Sequence, residues 1–164
     1  ISTQLINEVP IVRAMPNTPA LVGEGAAAIS GNANTDAEDL AWAEEILGAV
    51  GTVVRTEEKL LDAVTGLSGS GPAYIFLVAE AMIDAGVMTG LSRTVSTDLA
   101  VQTLLGASKL LAEGKPPAEL RADVTSPGGT TAAGLRELEN HGLRATFAAA
   151  IEAASRRSQE LGQN

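Results

Sequence analysis

Gly71-Pro72-Ala73-Tyr74-Ile75-Phe76-Leu77-Val78-Ala79-Glu80-Ala81-Met82-Ile83-Asp84-Ala85-Gly86-Val87-Met88 is the stretch that decides the fold. Pro72 suits a first helical turn, where its missing N–H costs nothing; Ser70 or Gly71 is placed as the cap, and Gly90 lies just past the end. A helix is therefore predicted from Ala73 to about Met88. Tyr74, Ile75, Phe76, Leu77, Val78, Met82, Ile83 and Val87 occupy every face of its wheel, and a helix that is apolar all round must be enclosed. A domain of about 100 residues offers too few surfaces to enclose it from every side. The expectation is an obligate, interleaved homodimer in which a second subunit supplies the rest of the cover.

Downstream the pattern stays helical. Ser92 caps a long helix through Ala112, which Gly114 and Lys115-Pro116-Pro117 end, and a short helix over Ala118 to Ala122 follows. Val124 to Thr131 leads into a helix reaching about Asn140; His141-Gly142 turns the chain into a last helix from Arg144 to Leu161. Upstream, residues 1 to about 56 alternate between β and α. Val9 to Met15 reads as a strand stopped by Pro16-Asn17-Thr18-Pro19, and Ala26 to Ser30 as a second. Thr35 or Asp36 caps a helix over Ala37 to Ala49, and Gly51 to Arg55 closes as a third strand. The opening Ile1-Ser2-Thr3-Gln4-Leu5-Ile6 reads as the middle of a longer chain, so truncation is expected.

Composition narrows the function classes. Hydrophobic residues make up 45% of the 164 but aromatics only 2%, so the core is built from Ala, Val, Leu and Ile at close approach. A net charge of −9 with no basic stripe argues against nucleic acid or an anionic membrane surface as partner. With no cysteine and the single His141, metal chemistry has no ligand set. No signal peptide opens the sequence, and the apolar run from Pro72 to Ala79 meets Glu80 and Asp84 before the roughly 20 residues of a membrane span, so a cytoplasmic protein is expected.

Three segments are candidates for chemistry. Ser126-Pro127-Gly128-Gly129-Thr130-Thr131 places free backbone N–H groups and three hydroxyls at a helix N-terminus, a setting for a carboxylate or phosphate. An ordinary cap with a tight turn is the plainer alternative, but six such residues in a row exceed what capping needs. Gly66-Leu67-Ser68-Gly69-Ser70-Gly71-Pro72 lacks both the G-x-G-x-x-G order and the Lys-Ser/Thr of a phosphate loop, and reads as a helix start. Met15-Pro16-Asn17-Thr18-Pro19 leaves the carboxyl end of a strand, where open α/β sheets bind ligands. His141 reads as a C-terminal cap, Glu80 and Asp84 as a solvent or interface edge, and Arg156-Arg157 as a solvated face.

Arg13-Ala14-Met15-Pro16-Asn17-Thr18-Pro19-Ala20, Gly66 to Tyr74, and Thr125 to Thr131 together resemble pyrroline-5-carboxylate reductases in order and spacing, along essentially the whole chain. The resemblance implies an α/β remnant of a Rossmann-type NAD(P)-binding domain over residues 1–56, followed by an all-α dimerisation and substrate-binding domain over 57–164. It implies hydride transfer from NADPH or NADH to 1-pyrroline-5-carboxylate, giving L-proline. Val124, Ser126, Gly128, Gly129, Thr130 and Thr131 would hold the substrate, the backbone N–H groups of Gly129 to Thr131 and the Ser126 hydroxyl taking its carboxylate. The Thr131 hydroxyl would bond the ring nitrogen as the catalytic contact, and Met15, Pro16 and Asn17 would lie against the nicotinamide half. No metal is implied; a homodimer is, with a ring of dimers as a larger assembly. The first strand and glycine-rich turn of such a family are missing, so the chain alone is expected to be inactive. A β-hydroxyacid dehydrogenase is the alternative enzyme, but Lys59, Lys109 and Lys115 lie outside any Gly-rich helix motif. A non-catalytic helical oligomerisation module is the alternative of another class.

Overall fold

The computed structural model describes residues 9–162; the expectation for the first six residues lies outside that range. Three strands form one mixed sheet in the order β1 (Val12–Met15), β2 (Gly25–Gly31), β3 (Gly51–Arg55). β1 is shorter than the run Val9 to Met15. Pro10 has no N–H to give, and the Ile11 N–H donates to Asn32 Oδ1 at 3.1 Å and Thr35 Oγ1 at 3.3 Å instead of to a ladder partner. β1 and β2 are antiparallel, with Met15 opposite Ala28. β2 and β3, joined through α1 (Ala37–Gly48), are parallel, as a strand–helix–strand crossover requires. Asp36 caps α1 in a reciprocal box with Asp39, while Thr35, the other expected cap, is occupied with Asn32 and the Ile11 carbonyl.

From Glu57 the chain is helical. A 3-10 turn (Glu58–Leu60) leads into α2 (Leu61–Val64), a π turn (Thr65–Gly69) and α3 (Gly71–Met88). α3 thus begins at Gly71 with Pro72 in its first turn, as expected, but Ser70 does not cap it. Ser70 is helical at φ −83° and ψ −18°, and its N–H reaches back five residues to the Thr65 carbonyl at 2.8 Å. The helical run Glu58–Met88 is 31 residues long, and its most apolar 18-residue window has a mean hydropathy of 1.4, which meets the length and composition of a membrane span as the core helix of a soluble protein also can. Beyond α3 come α4 (Arg93–Ala112), α5 (Pro117–Asp123), α6 (Thr130–Asn140) and α7 (Leu143–Gly162). Ser92 Oγ accepts the Val95 N–H as the cap of α4, and His141 closes α6 by donating its backbone N–H to the Glu137 carbonyl.

The chain divides into two units, Ile1–Ala73 with Ala148–Asn164, and Tyr74–Phe147. In the first, Ala27, Ala28, Ile29 and Leu61 are buried around β2. α7 lies so close to the π turn that a Cβ on Gly66 would stand 2.6 Å from the Ile151 carbonyl oxygen, and Ser158 Oγ donates to Asp62 Oδ1 at 2.6 Å. In the second, Gly86 of α3 abuts Ser96 of α4, and Tyr74 meets Phe147 edge to face with centroids 6.5 Å apart. α3 buries none of its residues within the chain.

Candidate functional site

α6 begins with an arrangement that local sequence explains step by step. The Thr125 hydroxyl donates back to the Arg121 carbonyl at 2.6 Å, finishing α5. Ser126 to Gly129 then form a tight turn closed by the Gly129 N–H donating to the Ser126 carbonyl at 3.0 Å. Pro127 presets the second position, and Gly128 at φ +69° takes the third, where a side chain would be strained. Gly129 must also lack a Cβ, since one there would run into Ser126 Oγ.

Gly129 is the N-cap of α6, and no side chain caps it. Among the described residues the hydroxyls of Ser126, Thr130 and Thr131 make no hydrogen bond, and the N–H groups of Thr130, Thr131 and Ala132 have no internal acceptor, as the first turn of a helix dictates. The Gly129 N–H is different: the turn already uses it, so it leaves the expected donor set for a bound anion. Ser126, Gly128 and Thr130 are exposed, Gly129 and Thr131 half-buried. Val124, 65% exposed at the end of α5, offers a solvent-facing methyl pair rather than a packed one.

In the first unit, two motifs 51 residues apart are joined by one side chain. Asn17 Nδ2 donates to the Ser68 carbonyl at 3.0 Å, and Asn17 Oδ1 accepts the Ala26 N–H at 2.9 Å. Met15 ends β1 and its Cε lies against Gly69, where a Cβ would be 2.5 Å away. Pro16 follows, and Thr18–Val22 continues as a 3-10 turn. Because β2 and β3 run opposite to β1, the carboxyl end of β1 stands beside their amino ends, so among the described strands the strand-end rule for parallel sheets lends Met15 to Pro19 no support. The apolar groove beside β1, about 320 Å³ between Pro10, Val12, Ala14 and Trp42, Ala43, Ile46, leaves Trp42 68% exposed.

Charge sits away from these segments. Arg55 hydrogen-bonds Glu44 and holds that carboxyl below its usual range; Arg144 does the same for Glu139. Both pairs are solvent-exposed. Asp84 is engaged with Arg93, and Arg156 and Arg157 pair with Glu152 and Glu160 on the surface of α7, as a solvated face would. Among the described residues no cluster of three or more His, Asp or Glu could hold a metal ion. Sequence reading did not anticipate the Ser68 carbonyl as a contact point. The one signal available was Pro72, whose missing N–H leaves the carbonyl four residues earlier without a helical donor.

The family model for pyrroline-5-carboxylate reductase dimerisation matches residues 58–161. The pyrroline-5-carboxylate reductases of Synechocystis sp. and Arabidopsis thaliana are each 53% identical over 154 residues, 93% of this chain but only 58% and 56% of theirs. That of Methanosarcina acetivorans is 51% identical over 160 residues, covering 97% of this chain and 59% of its own. The chain thus spans somewhat under three fifths of the length of these relatives. Among solved structures, a pyrroline-5-carboxylate reductase from Coxiella burnetii superposes with a TM-score of 0.94 at 41% identity, over 98% of this chain and 60% of that one. The Plasmodium falciparum pyrroline carboxylate reductase with NADP bound gives 0.89 at 39%, over 98% and 65%. A small three-stranded sheet followed by a mostly helical region, matched over residues 58–161, places this chain in the pyrroline-5-carboxylate reductase dimerisation family.

Proposed function

We propose that this chain carries the substrate-binding and dimer-forming part of an NAD(P)H-dependent reductase that converts 1-pyrroline-5-carboxylate to L-proline. The supporting observation is the start of α6: three hydroxyls and three backbone N–H groups converge at a helix N-terminus that no side chain caps. Such an end attracts a carboxylate through its dipole and free donors. The N–H groups of Thr130 and Thr131 and the Ser126 hydroxyl donate to the substrate carboxylate. Gly128 and Gly129 let the backbone approach it, and Val124 borders the site.

Bound NAD(P)H supplies the hydride from its nicotinamide C4. The hydride adds to the C=N carbon, the π pair returns to nitrogen, and a protonated imine thereby becomes the amine of proline. Thr131 Oγ1 accepts a hydrogen bond from the protonated ring nitrogen, orienting the carbon that receives the hydride. Met15, Pro16 and Asn17 belong to the nicotinamide side. They offer an apolar strand end suited to a ring face, whereas a glycine-rich pyrophosphate turn is not found among the described residues.

In this reading residues 1–56 are the C-terminal part of a Rossmann-type dinucleotide-binding domain and 57–164 its dimerisation and substrate domain. The groove beside β1 and Trp42 faces the remainder of that sheet. α3 is covered by a second copy in a homodimer, on which a ring of dimers can be built. The enzyme is a soluble one of the cytoplasm, using NADPH or NADH.

Activity requires the full-length enzyme, meaning this sequence joined to the region that completes its nucleotide domain. There, Thr131→Ala lowers kcat by roughly tenfold or more, the scale of one positioned polar contact in the transition state. Unchanged kinetics would remove Thr131 from the mechanism. A co-crystal with a proline-like carboxylate seated away from residues 126 to 131 would overturn the site itself.

A further inference from the structure

Pro72 cannot donate to the carbonyl of Ser68, the residue four positions earlier. The next amide does not compensate, since the Ala73 N–H goes to the Ser70 carbonyl at 3.0 Å. π turns of this kind are frequent at functional positions, and here the unclaimed Ser68 carbonyl is bonded from outside the helix by Asn17 Nδ2 at 3.0 Å. The other end of the same planar amide accepts the Ala26 N–H at 2.9 Å, so Asn17 is held at both ends by protein. One residue on from Ser68, Gly69 has no positive φ, so its glycine is needed for room rather than for backbone freedom. The room is filled by the Met15 methyl, with Cε 2.5 Å from where a Cβ would stand.

We infer that Asn17 is a positioning residue and that Asn17 and Gly69 together fix where the Met15 thioether stands at the end of β1. This deepens the proposed function and rests on it, because Met15 matters to catalysis only if it lines the nicotinamide side. Asn17 locks the loop to the π turn, and Gly69 sets how deeply the Met15 side chain lies. Specificity for the reduced nucleotide then depends on a side chain positioned by two residues that need not touch it.

Two measurements on the full-length enzyme test the inference separately. With methyl-labelled methionine, Gly69→Ala and Asn17→Asp shift the Met15 ε-methyl resonance, while Met82 and Met88 serve as internal references. An unmoved Met15 signal overturns the geometric inference whatever the enzyme does. Asn17→Asp keeps the acceptor for Ala26 but sets a carboxylate against the Ser68 carbonyl; should it fail to fold, Gly69→Ala decides alone, since its added methyl meets only the flexible end of a side chain.

In kinetics, Gly69→Ala raises both the dissociation constant of NADPH and its KM by about tenfold, a modest share of what a misplacement near 1 Å can cost. KM for 1-pyrroline-5-carboxylate and the melting midpoint stay close to those of the parent. With Met15→Leu already present, which removes the terminal methyl, the effect of Gly69→Ala falls below about twofold. Equal losses on both substrates, or wild-type nucleotide affinity, overturn the positioning role. A parent enzyme that binds NADPH but makes no proline would instead overturn the proposed function, and the methyl measurement would still judge the geometry.

Discussion

Replacing Phe76 by Ser tests the enclosure of α3 directly, and on this chain alone. Phe76 is 63% exposed in the single chain. A phenylalanine carries about 200 Å², so a partner that covers it removes about 125 Å² from water, which at about 25 cal/mol per Å² contributes about 3 kcal/mol. A two-fold interface contains the residue twice, giving about 6 kcal/mol and a dissociation constant raised about 10⁴-fold. Sedimentation velocity over a nanomolar to micromolar series, with far-ultraviolet circular dichroism in parallel, reads the result. The unmodified chain stays dimeric throughout. The variant dissociates in the micromolar range and loses helical signal as it does, because α3 has no buried residue within its own chain. A folded monomer of the unmodified chain at micromolar concentration, or a variant whose dissociation constant lies within tenfold of it, would refute the reasoning.

Gly66→Ala places a methyl 2.6 Å from the Ile151 carbonyl oxygen, a backbone atom that cannot swing aside. The overlap costs about 1–3 kcal/mol against a helix-propensity gain of at most about 1 kcal/mol, so thermal melting falls by a few degrees; an unchanged midpoint contradicts the packing of α7 on the π turn. Ser96→Ala removes a buried hydroxyl with no partner among the described residues. Relief of its desolvation, about 1 kcal/mol or more, raises the melting midpoint; a decrease would show that the assembly supplies Ser96 with a partner. Arg144 holds the Glu139 carboxyl below its ordinary 4.5. A depressed carboxyl stabilises the fold above the unfolded pKa and ceases to as pH falls through the folded one. Glu139→Gln is therefore slightly less stable than the parent at pH 7 in low salt and equal to it in acid. A gap that persists in acid would assign the effect to packing.

Where structure followed from local chemistry, the sequence was readable. Gly51 to Arg55 is a strand and Asp36 a cap because β-branched residues and an Asp-x-x-Asp box act over a few residues. Gly128 and Gly129 were legible as a tight turn feeding a helix for the same reason. The segment from Gly66 to Pro72 was not. Ser, Gly and Pro in that order ordinarily mark a helix start, and the π turn before it, closed by the Ser70 N–H on the Thr65 carbonyl, leaves the Ser68 carbonyl to a partner 51 residues away, Asn17, which no local pattern announces. Likewise the free N–H groups at residues 129 to 131 were read as a set of three, and the turn hydrogen bond from Gly129 reduces the set because its partner, Ser126, lies in the same motif. The apolar wheel of α3 foretold that something must cover it, but composition gave no way to see that the helical run begins at Glu58 and attains the length of a membrane span.

The absence of charge at the α6 site follows from what the proposed substrate is. With its ring nitrogen protonated, 1-pyrroline-5-carboxylate carries an anion and a cation a few ångströms apart. A lysine placed for the carboxylate would oppose the iminium, at about 4 kcal/mol for unit charges 4 Å apart near a protein surface. An aspartate placed for the nitrogen would repel the carboxylate by a similar amount. Helix N–H groups and threonine hydroxyls avoid both penalties: the dipole end attracts the carboxylate, and a hydroxyl oxygen accepts from the iminium without a formal charge. The same donors suit a chain of net charge −9, which draws no anion by its overall field and must hold one by directed contacts at short range. Substituting Thr131 by Lys is thus the sharper companion to Thr131→Ala. It supplies more attraction for the carboxylate, yet turnover falls below that of the alanine variant, and turnover above it would mean that the nitrogen is not protonated when hydride arrives.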